Sequence, residues 1–312
     1  MSDYKSYDEV KKEVSTFYNQ KKYREAITLL ESVLNQFPEE IHSTVYDLSI
    51  LYIKEGRHER SMGILEYGLR KGIIYSFWEG ADLWKPLQSL ERFKKIVKEN
   101  NRLRKEASAK ARPKVEVVVP TCESEGYPLF IALHGWNDDI ATLKQYWKSE
   151  TIEKEYITAF VQSSQVVSTH KFGWDDYELG KKEVVDMYNN IVQEYPVDTK
   201  RVIIGGFSQG GTMAVDIALN NCIPVTGFVV LCPGGIPEGV TKNTATEAVQ
   251  RGLRGTIITG VNDPSLPGQR KLVRILKKVG LPHQFIVLST EHWFPDDVPE
   301  QIDAALGHIT ER

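Results

Sequence analysis

Residues 201–219 read RVIIGGFSQGGTMAVDIAL. The segment begins with a short apolar run that favours a strand and ends with residues 212–219, whose spacing favours a helix. Between them, Gly206-Phe207-Ser208-Gln209-Gly210 places Ser208 where the strand passes into the helix. A G-x-S-x-G match alone arises by chance in roughly one chain in ten of this length, but this context is typical of a nucleophile elbow. We expect Ser208 to be a nucleophile; the alternative is a glycine-rich turn without chemistry.

Similar apolar, β-branched runs alternate with helical patterns on both sides of this segment. The predicted strands are residues 115–119, 129–133, 157–161, 202–204, 227–231, 256–259 and 285–288, and helical patterns include 181–195, 212–220 and 268–278. Because the runs are apolar throughout, they predict a mostly parallel sheet with helices on both faces. Chemistry in such sheets collects at the carboxyl ends of the strands, so each candidate side chain should directly follow a strand.

A serine hydroxyl is a weak nucleophile and needs a nearby base. Three histidines follow Ser208 along the chain: His283, His292 and His308. His283 opens the last predicted strand, and His308 lies in a C-terminal amphipathic helix, so both are expected to be structural. His292 follows the last strand in a loop. We therefore predict that His292 is the base, since the order after such an elbow is serine, acid, histidine.

The acid should lie between the serine and the histidine, also beyond a strand. Asp263 meets both conditions, since it follows the predicted strand 256–259 in the segment Gly260-Val261-Asn262-Asp263-Pro264. Its carboxylate would orient the imidazole and stabilise the imidazolium that forms. The competing interpretation is an ordinary turn aspartate before proline. Asp296 and Asp297 come after His292, in the wrong order.

An oxyanion hole needs two donors. One is expected to be the N–H of Gln209, the residue after the nucleophile. The other is expected from the loop after residues 129–133, which reads His134-Gly135-Trp136, and we assign it to the N–H of Trp136. His134 precedes the nucleophile in the chain, so we expect it to shape this loop by hydrogen bonding.

Aromatic side chains are frequent in the loops expected at the same face. The candidates for an aromatic-lined acyl or alcohol pocket are Phe172, Trp174, Trp293 and Trp136. The alternative is that about half of them are loop anchors that pack for stability.

Residues 1–112 have a different pattern, helical throughout. The segment 23–34 matches 58–69 at a shift of 35 residues. The shift superposes Phe17 on Tyr52, Ala26 on Ser61 and Leu30 on Leu65. Residues 7–72 thereby resemble two tetratricopeptide repeats, whose period is about 34 residues. This resemblance implies a peptide or protein partner; the alternative is a pair of ordinary amphipathic helical hairpins.

Residues 77–97 are expected to cap these repeats or to form a degenerate third unit, because apolar side chains, Trp78 and Trp84 among them, recur at helical spacing. A polar, basic stretch follows and ends in Arg112-Pro113. Proline disfavours a helical conformation in the residue before it. We therefore predict two domains, 1–112 and 113–312.

Composition and charge exclude several classes of function. The 312 residues have a formal net charge of −3. A nucleic-acid-binding protein is expected to have a concentrated excess of basic residues, so this class is not favoured. No apolar run approaches the roughly 20 residues of a membrane span, and the polar first residues lack a signal peptide, so a cytoplasmic location is expected. Cys122, Cys222 and Cys232 are scattered without a C-x-x-C motif. Neither zinc nor a disulfide framework is predicted, and each cysteine is expected to be a small buried side chain.

These motifs together resemble the phospholipase/carboxylesterase family, which includes acyl-protein thioesterases and small bacterial carboxylesterases. The resemblance covers about residues 113–312 and rests on Leu133-His134-Gly135, Gln162-Ser163-Ser164-Gln165, Gly206-Phe207-Ser208-Gln209-Gly210-Gly211, Gly260 with Asp263, and His292. It implies an α/β-hydrolase fold and a serine carboxylesterase or thioesterase. Hydrolysis of a small-molecule or acyl-chain ester would then pass through an acyl-enzyme, without metal or cofactor.

The chain departs from this family in three ways. Glu291 stands where the family usually has glycine before the histidine, Trp136 replaces a leucine common in small esterases, and the N-terminal repeats are foreign to the simple thioesterases. The substrate therefore does not carry over. Two alternatives remain: a peptide-binding repeat scaffold with secondary hydrolase activity, and a prolyl-oligopeptidase-like peptidase. The helical N-terminus argues against the latter, since those enzymes have a β-propeller there.

Overall fold

The structure, a computed structural model, describes residues 4–77, 82–121 and 124–310. It divides into two compact units. The helical unit comprises Met1–Lys110 with Val167–Thr169, and the sheet unit comprises Ala111–Val166 with His170–Arg312. Trp78 and Cys122, which entered the sequence analysis, lie outside the described residues.

Some helix boundaries of the helical unit recur along the chain. Its helices are α1 (Tyr7–Asn19), α2 (Tyr23–Val33), α3 (Ile41–Lys54), α4 (His58–Arg70), α5 (Lys85–Gln88) and α6 (Glu91–Lys110), with 3₁₀ turns at Pro38–Glu40 and Asp82–Trp84. The starts of α2 and α4, and likewise the ends of α1 and α3, are separated by the period of the sequence repeat. The small Ala26 and Ser61 are both fully buried, which allows close helix approach at equivalent positions of the two pairs.

The second half of the helical unit has its own aromatic core. Trp84 packs on Phe93 with ring centroids 5.9 Å apart, and Ile96 of α6 is buried in the same cluster. Asn100 is buried on α6, where its amide accepts from the N–H of Tyr75 and donates to its carbonyl, at 2.7 and 2.9 Å. Both backbone groups of Tyr75 are thereby satisfied without secondary structure. The helix α6 continues through the polar stretch to Lys110.

The sheet unit contains a seven-stranded sheet of mixed direction. Its strands are β1 (Lys114–Val118), β2 (Tyr127–Leu133), β3 (Ile157–Gln162), β6 (Val197–Phe207), β7 (Gly227–Leu231), β8 (Arg254–Gly260) and β9 (His283–Leu288), and β4 (Gln165–Ser168) pairs separately with β5 (Lys171–Gly173). The order is β1-β3-β2-β6-β7-β8-β9, and within this sheet the β1–β3 pair is antiparallel whereas the other pairs are parallel. The predicted mostly parallel sheet is confirmed.

Helices cover both faces of this sheet. They are α7 (Ile140–Tyr146), α8 (Glu150–Glu155), α9 (Tyr177–Glu194), α10 (Ser208–Leu219), α11 (Lys242–Gln250), α12 (Leu266–Val279) and α13 (Val298–Thr310). Successive strand residues point to opposite faces: Ile131 and Ile204 pack in the core with α9, α10 and α12, whereas Phe130 and Ile203 pack in the core with α7 and α13. Two buried faces explain why the strand sequences are apolar throughout.

Two features differ from the predicted elements. The strand β6 begins at Val197 rather than residue 202, because Val197 pairs with Tyr127 in the parallel ladder although the intervening residues are polar. The β4–β5 pair was not predicted, since strands of four and three residues offer too little pattern.

Within the described part of the chain, no helix has the length and apolarity that a membrane crossing requires.

Candidate active site

Ser208 occupies a sharp turn between β6 and α10. The strand ends at Phe207, the helix begins at Ser208, and the φ angle of Ser208 is 52°. A backbone with this left-handed φ is strained at a residue other than glycine, and the surrounding packing must offset the free energy of the strain. The flanking glycines permit the packing: a Cβ on Gly206 would lie 2.4 Å from the carbonyl oxygen of Gly210. The turn thus presents the Ser208 hydroxyl at the carboxyl end of the sheet.

His292 lies within hydrogen-bond reach of that hydroxyl. Its Nε2 is 2.8 Å from Ser208 Oγ, and its Nδ1 is 3.0 Å from Asp263 Oδ1. The loops that carry His292 and Asp263 meet because they leave the parallel strands β9 and β8, whose ends pair at Leu288 and Gly260. Three side chains that the sequence analysis selected separately therefore form one hydrogen-bonded chain.

The Asp263 carboxylate is buried and accepts four hydrogen bonds. Besides His292, the donors are the N–H of Ser265 at 2.7 Å, the Thr259 hydroxyl at 2.9 Å and the Gln269 amide at 3.0 Å. Burial acts to raise the pKa of Asp263, but the hydrogen bonds from Ser265, His292 and Gln269 outweigh it and lower the pKa below its ordinary value. Asp263 is therefore held ionised beside the imidazole.

Sequence reasoning missed Thr259 and Gln269 as partners of Asp263. Gln269 is fully buried on α12 and also donates to the carbonyl of Pro233, at 2.8 Å. Neither residue belongs to a motif around Asp263. Ser265 could have been found, because an aspartate that accepts from the N–H two residues later forms a common Asx turn.

The two expected oxyanion donors have N–H groups without protein acceptors among the described residues. The N–H of Gln209 lies in the first turn of α10, where helix geometry leaves it without an intrahelical partner. The N–H of Trp136 belongs to the loop after β2, which lies beside the elbow because Leu133 and Gly206 pair across the β2–β6 ladder. Both N–H groups therefore remain available as hydrogen-bond donors near Ser208.

His134 is fully buried behind this loop. Its Nδ1 lies 2.7 Å from the carbonyl oxygen of Gly135, and its Nε2 lies 3.2 Å from the nitrogen of Ser163. Since Gly135 offers only an acceptor and Ser163 only a donor, Nδ1 bears the proton and Nε2 accepts. Burial lowers the pKa of His134 to about 4, so the ring is neutral near pH 7.

The candidate pocket aromatics occupy different environments. Trp293 is 51% exposed, and its ring packs edge-on against Phe207 with centroids 5.8 Å apart. Phe172 is half-buried in β5. Trp174, in contrast, has no exposed surface and stacks on His134 at 4.8 Å. An indole without exposed surface does not line an open pocket. Trp174 therefore does not have the predicted place in a pocket and packs in the protein interior instead.

The other two histidines downstream of Ser208 have partners elsewhere. His283 begins β9, and its Nδ1 contacts the Leu281 carbonyl at 2.7 Å. His308 lies in α13, and its Nδ1 is 3.4 Å from a guanidinium nitrogen of Arg254.

Cys232 was not anticipated beside Asp263 and His292. Its sulfur atom and ligand atoms of Asp263 and His292 all lie within 4.8 Å of one another. The group is a poor metal site by its chemistry, because burial raises the pKa of the Cys232 thiol to about 12 and metals bind the thiolate. The oxygens of Asp263 are also already occupied by four donors.

Comparisons with known proteins agree with this architecture. A family model described as Phospholipase/Carboxylesterase matches residues 175–280. An uncharacterized protein from Bacillus cereus ATCC 10987 is 27% identical over 98% of this chain and 99% of its own, with a TM-score of 0.54. No curated protein matches the chain.

Two carboxylesterases of known structure are also similar. The enzyme from Mesorhizobium loti is 17% identical, with a TM-score of 0.53 over 62% of this chain and 94% of its own. The enzyme from Bacillus cereus is 18% identical, with a TM-score of 0.51 over 64% of this chain and 97% of its own. The chain therefore has the α/β-hydrolase fold, preceded by an all-helical region.

Proposed function

We propose that this protein is a serine hydrolase of the phospholipase/carboxylesterase family that cleaves carboxylic esters or thioesters. The observation that carries the proposal is the continuous chain Ser208–His292–Asp263, with contacts of 2.8 and 3.0 Å. Nucleophile, base and orienting acid at these separations form the geometry that activates a serine hydroxyl. The family-model match around the elbow supports the ester-hydrolase class.

The reaction begins with proton transfer from Ser208 Oγ to His292 Nε2 as Oγ attacks the substrate carbonyl carbon. The carbonyl oxygen becomes an oxyanion, which accepts hydrogen bonds from the N–H groups of Gln209 and Trp136. Asp263 stabilises the imidazolium through Nδ1–H. When the tetrahedral intermediate collapses, the alkoxide or thiolate leaves with the proton from His292, and the acyl group remains on Ser208.

Hydrolysis of the acyl-enzyme repeats these steps with water as nucleophile. His292 Nε2 removes a proton from the water while its oxygen attacks the acyl carbon. Collapse of the second intermediate returns the proton to Ser208 Oγ and releases the carboxylic acid. Every proton transfer uses groups already present, so the proposed reaction needs no cofactor.

An apolar substrate group is proposed to lie beside His292. Trp293 supports this proposal, because it directly follows His292 and is half exposed although its ring rests on Phe207 and Tyr146. Phe172 is the second candidate for this pocket. An apolar acyl or alcohol group would remove such surface from water, which stabilises the complex by about 25 cal/mol per Å² buried.

The helical unit is proposed to contain two tetratricopeptide-like repeats. The starts of α2 and α4 and the ends of α1 and α3 are separated by the repeat period, and this spacing supports the interpretation together with the full burial of Ala26 and Ser61. Such repeats would recruit a peptide or protein partner.

The proposed function is tested with p-nitrophenyl esters of graded chain length, alongside thioester and peptide substrates. Ser208→Ala should lower kcat by about 10⁴–10⁶-fold, since triad members act as a unit, and should prevent labelling by a fluorophosphonate probe. The variant should fold normally, because only one hydroxyl is removed. If Ser208→Ala still labels and turns over, Ser208 is not the nucleophile. Preferential peptide cleavage would instead indicate a peptidase.

A further inference from the structure

Trp174 makes two hydrogen bonds that lead to different parts of the candidate active site. Its indole Nε1–H donates to the carbonyl oxygen of His134 at 2.8 Å, and its backbone N–H donates to Gln209 Oε1 at 2.7 Å. Its side chain has no exposed surface. One rigid residue thus connects the loop after β2 with the first turn of α10.

On the loop side, the indole holds the peptide that joins His134 to Gly135. The next peptide is held as well, because His134 Nδ1–H donates to the Gly135 carbonyl at 2.7 Å. That peptide also contains the N–H of Trp136. Since a trans peptide is planar and its C=O and N–H point in opposite directions, fixing the Gly135 carbonyl fixes the direction of the Trp136 N–H.

On the helix side, the Gln209 side chain lies between two partners. It accepts from the Trp174 N–H and donates to Asp175 Oδ1 at 3.2 Å. The loop and the elbow also touch, because a Cβ on Gly210 would lie only 2.2 Å from the His134 carbonyl oxygen. The carbonyl that the indole holds is therefore packed directly against the turn that presents the Gln209 N–H.

We infer that Trp174 is a positioning residue that sets the relative placement of the two oxyanion donors, the N–H groups of Trp136 and Gln209; this inference rests on the proposed function. Trp174 touches no substrate in this role. Donors stabilise the transition state when they lie about 2.7–3.1 Å from the developing oxyanion. A misplacement of roughly 1 Å can cost about 10²-fold in rate, so the indole N–H should affect kcat from behind the site.

The test compares Trp174→Phe with Trp147→Phe. Both side chains are almost fully buried in the sheet unit, and both substitutions remove the same ring volume. They differ in hydrogen bonding, because Trp147 Nε1 is buried without a hydrogen-bond partner among the described residues. Trp147→Phe therefore controls for repacking.

We expect Trp174→Phe to lower kcat for a p-nitrophenyl ester about 10- to 100-fold with little change in KM, below the roughly 10²–10³-fold loss from deleting an oxyanion donor outright. Affinity for an alkyl boronic acid, which forms a tetrahedral adduct with the serine, should fall in parallel. The shape of the pH profile should stay unchanged, since His292 and Asp263 are untouched. Trp147→Phe should leave kcat, KM and boronate affinity close to wild type.

Gln209→Ala provides a second variant if Trp174→Phe folds poorly. It keeps the backbone donor but removes the side-chain tie to Trp174, so it should also lower kcat and boronate affinity with little effect on KM. If the wild type is active but Trp174→Phe and Gln209→Ala behave like Trp147→Phe, this inference is wrong and the proposed function still stands. A wild type that neither hydrolyses esters nor binds the boronate overturns the proposed function and this inference with it.

Discussion

The Asp263 side chain has no exposed surface, and each of its carboxylate oxygens accepts two hydrogen bonds. An asparagine there would place an NH₂ donor opposite other donors, whichever way the amide turned. It would also favour the wrong tautomer of His292. We expect Asp263→Asn to lower kcat by on the order of 10³–10⁴ and to destabilise the fold by about 1–3 kcal/mol.

Steady-state kinetics and urea unfolding measure both effects. Asp296→Asn is the matched control, because Asp296 is an exposed aspartate in the loop after His292. Its kcat and unfolding free energy should stay near wild type. If Asp296→Asn were the damaging change, the choice of acid would be wrong.

Ser208 and His292 should behave as one unit in kinetics. Without His292, no base takes the proton of the Ser208 hydroxyl, and without Ser208, His292 has no nucleophile to activate. The double variant should therefore be little worse than either single variant. Measured values of kcat for Ser208→Ala, His292→Ala and the double variant test this expectation. Additive losses, in logarithmic terms, would point to a different base.

His134 should make the stability of the protein depend on pH. Its pKa is lowered by burial from 6.5 to about 4, so below pH 6.5 the unfolded chain binds a proton that the folded chain does not. The neutral ring therefore makes its full contribution to the free energy of unfolding above pH 6.5. This contribution is lost as pH falls towards 4, by roughly 3 kcal/mol in total.

Urea unfolding at pH 7 and pH 4.5 measures this contribution as a difference between wild type and His134→Gln. The variant should be less sensitive to the change in pH, whereas His283→Gln, at a less buried histidine, should retain the dependence of wild type. Equal sensitivity in His134→Gln and wild type would show that another group dominates.

At the scale of secondary-structure elements, the end of β8 must pass very close to the loop that carries His292. A Cβ on Gly260 would lie 2.2 and 2.3 Å from the carbonyl oxygens of Thr290 and Glu291. Backbone atoms at such distances have to move. Gly260→Ala should therefore displace His292 and lower kcat by about 10²-fold, the cost typical of a 1 Å misplacement.

Gly307→Ala in α13 is the control for Gly260→Ala, because a Cβ there meets nothing within 4 Å. It should keep full activity and gain a little helix stability. Activity assays with thermal unfolding separate the two effects. A fully active Gly260→Ala variant would show that the loop tolerates the shift.

At the scale of the whole molecule, the helical unit and the sheet unit each contain their own hydrophobic clusters. We predict that they unfold as separate domains. A Cβ on Gly68 would lie 1.8 Å from the Tyr75 hydroxyl, and Tyr75 is buried. Overpacking of this kind costs about 1–3 kcal/mol, so Gly68→Ala should lower only one of two transitions in calorimetry.

Gly63→Ala in the same helix is the matched control, since its nearest neighbour would be 3.9 Å away. It should raise rather than lower the same transition, by the helix propensity of alanine. The transition of the sheet unit and the ester-hydrolase activity should be unchanged in both variants. A single transition that shifts as a whole would contradict the two-domain prediction.

The sequence by itself determined the α/β class and the positions of the seven strands in the main sheet. Strands buried on both faces require apolar runs, and these runs are visible without knowledge of their neighbours. The same local logic selected Ser208, Asp263 and His292, because each follows a strand of a parallel sheet and such ends meet at one edge. The start of β6 was missed because residues 198–200 are polar, and only the pairing of Val197 with Tyr127, beyond a register shift, extends the strand to that end.

Only the tertiary structure decided how the candidate site is supported. Gln269 joins Asp263 to the carbonyl of Pro233, which lies 36 residues before Gln269 in the sequence, and Trp174 joins the His134 loop to Gln209 across 35 residues or more. Trp174 was expected in the pocket because a tryptophan in a loop has the same local signal whether it faces substrate or packs inside. Its burial and hydrogen bonds depend on elements far apart in the chain, which no local pattern encodes. The sequence therefore could not predict the hydrogen bonds between residues that are distant in the chain and that only the tertiary fold brings together.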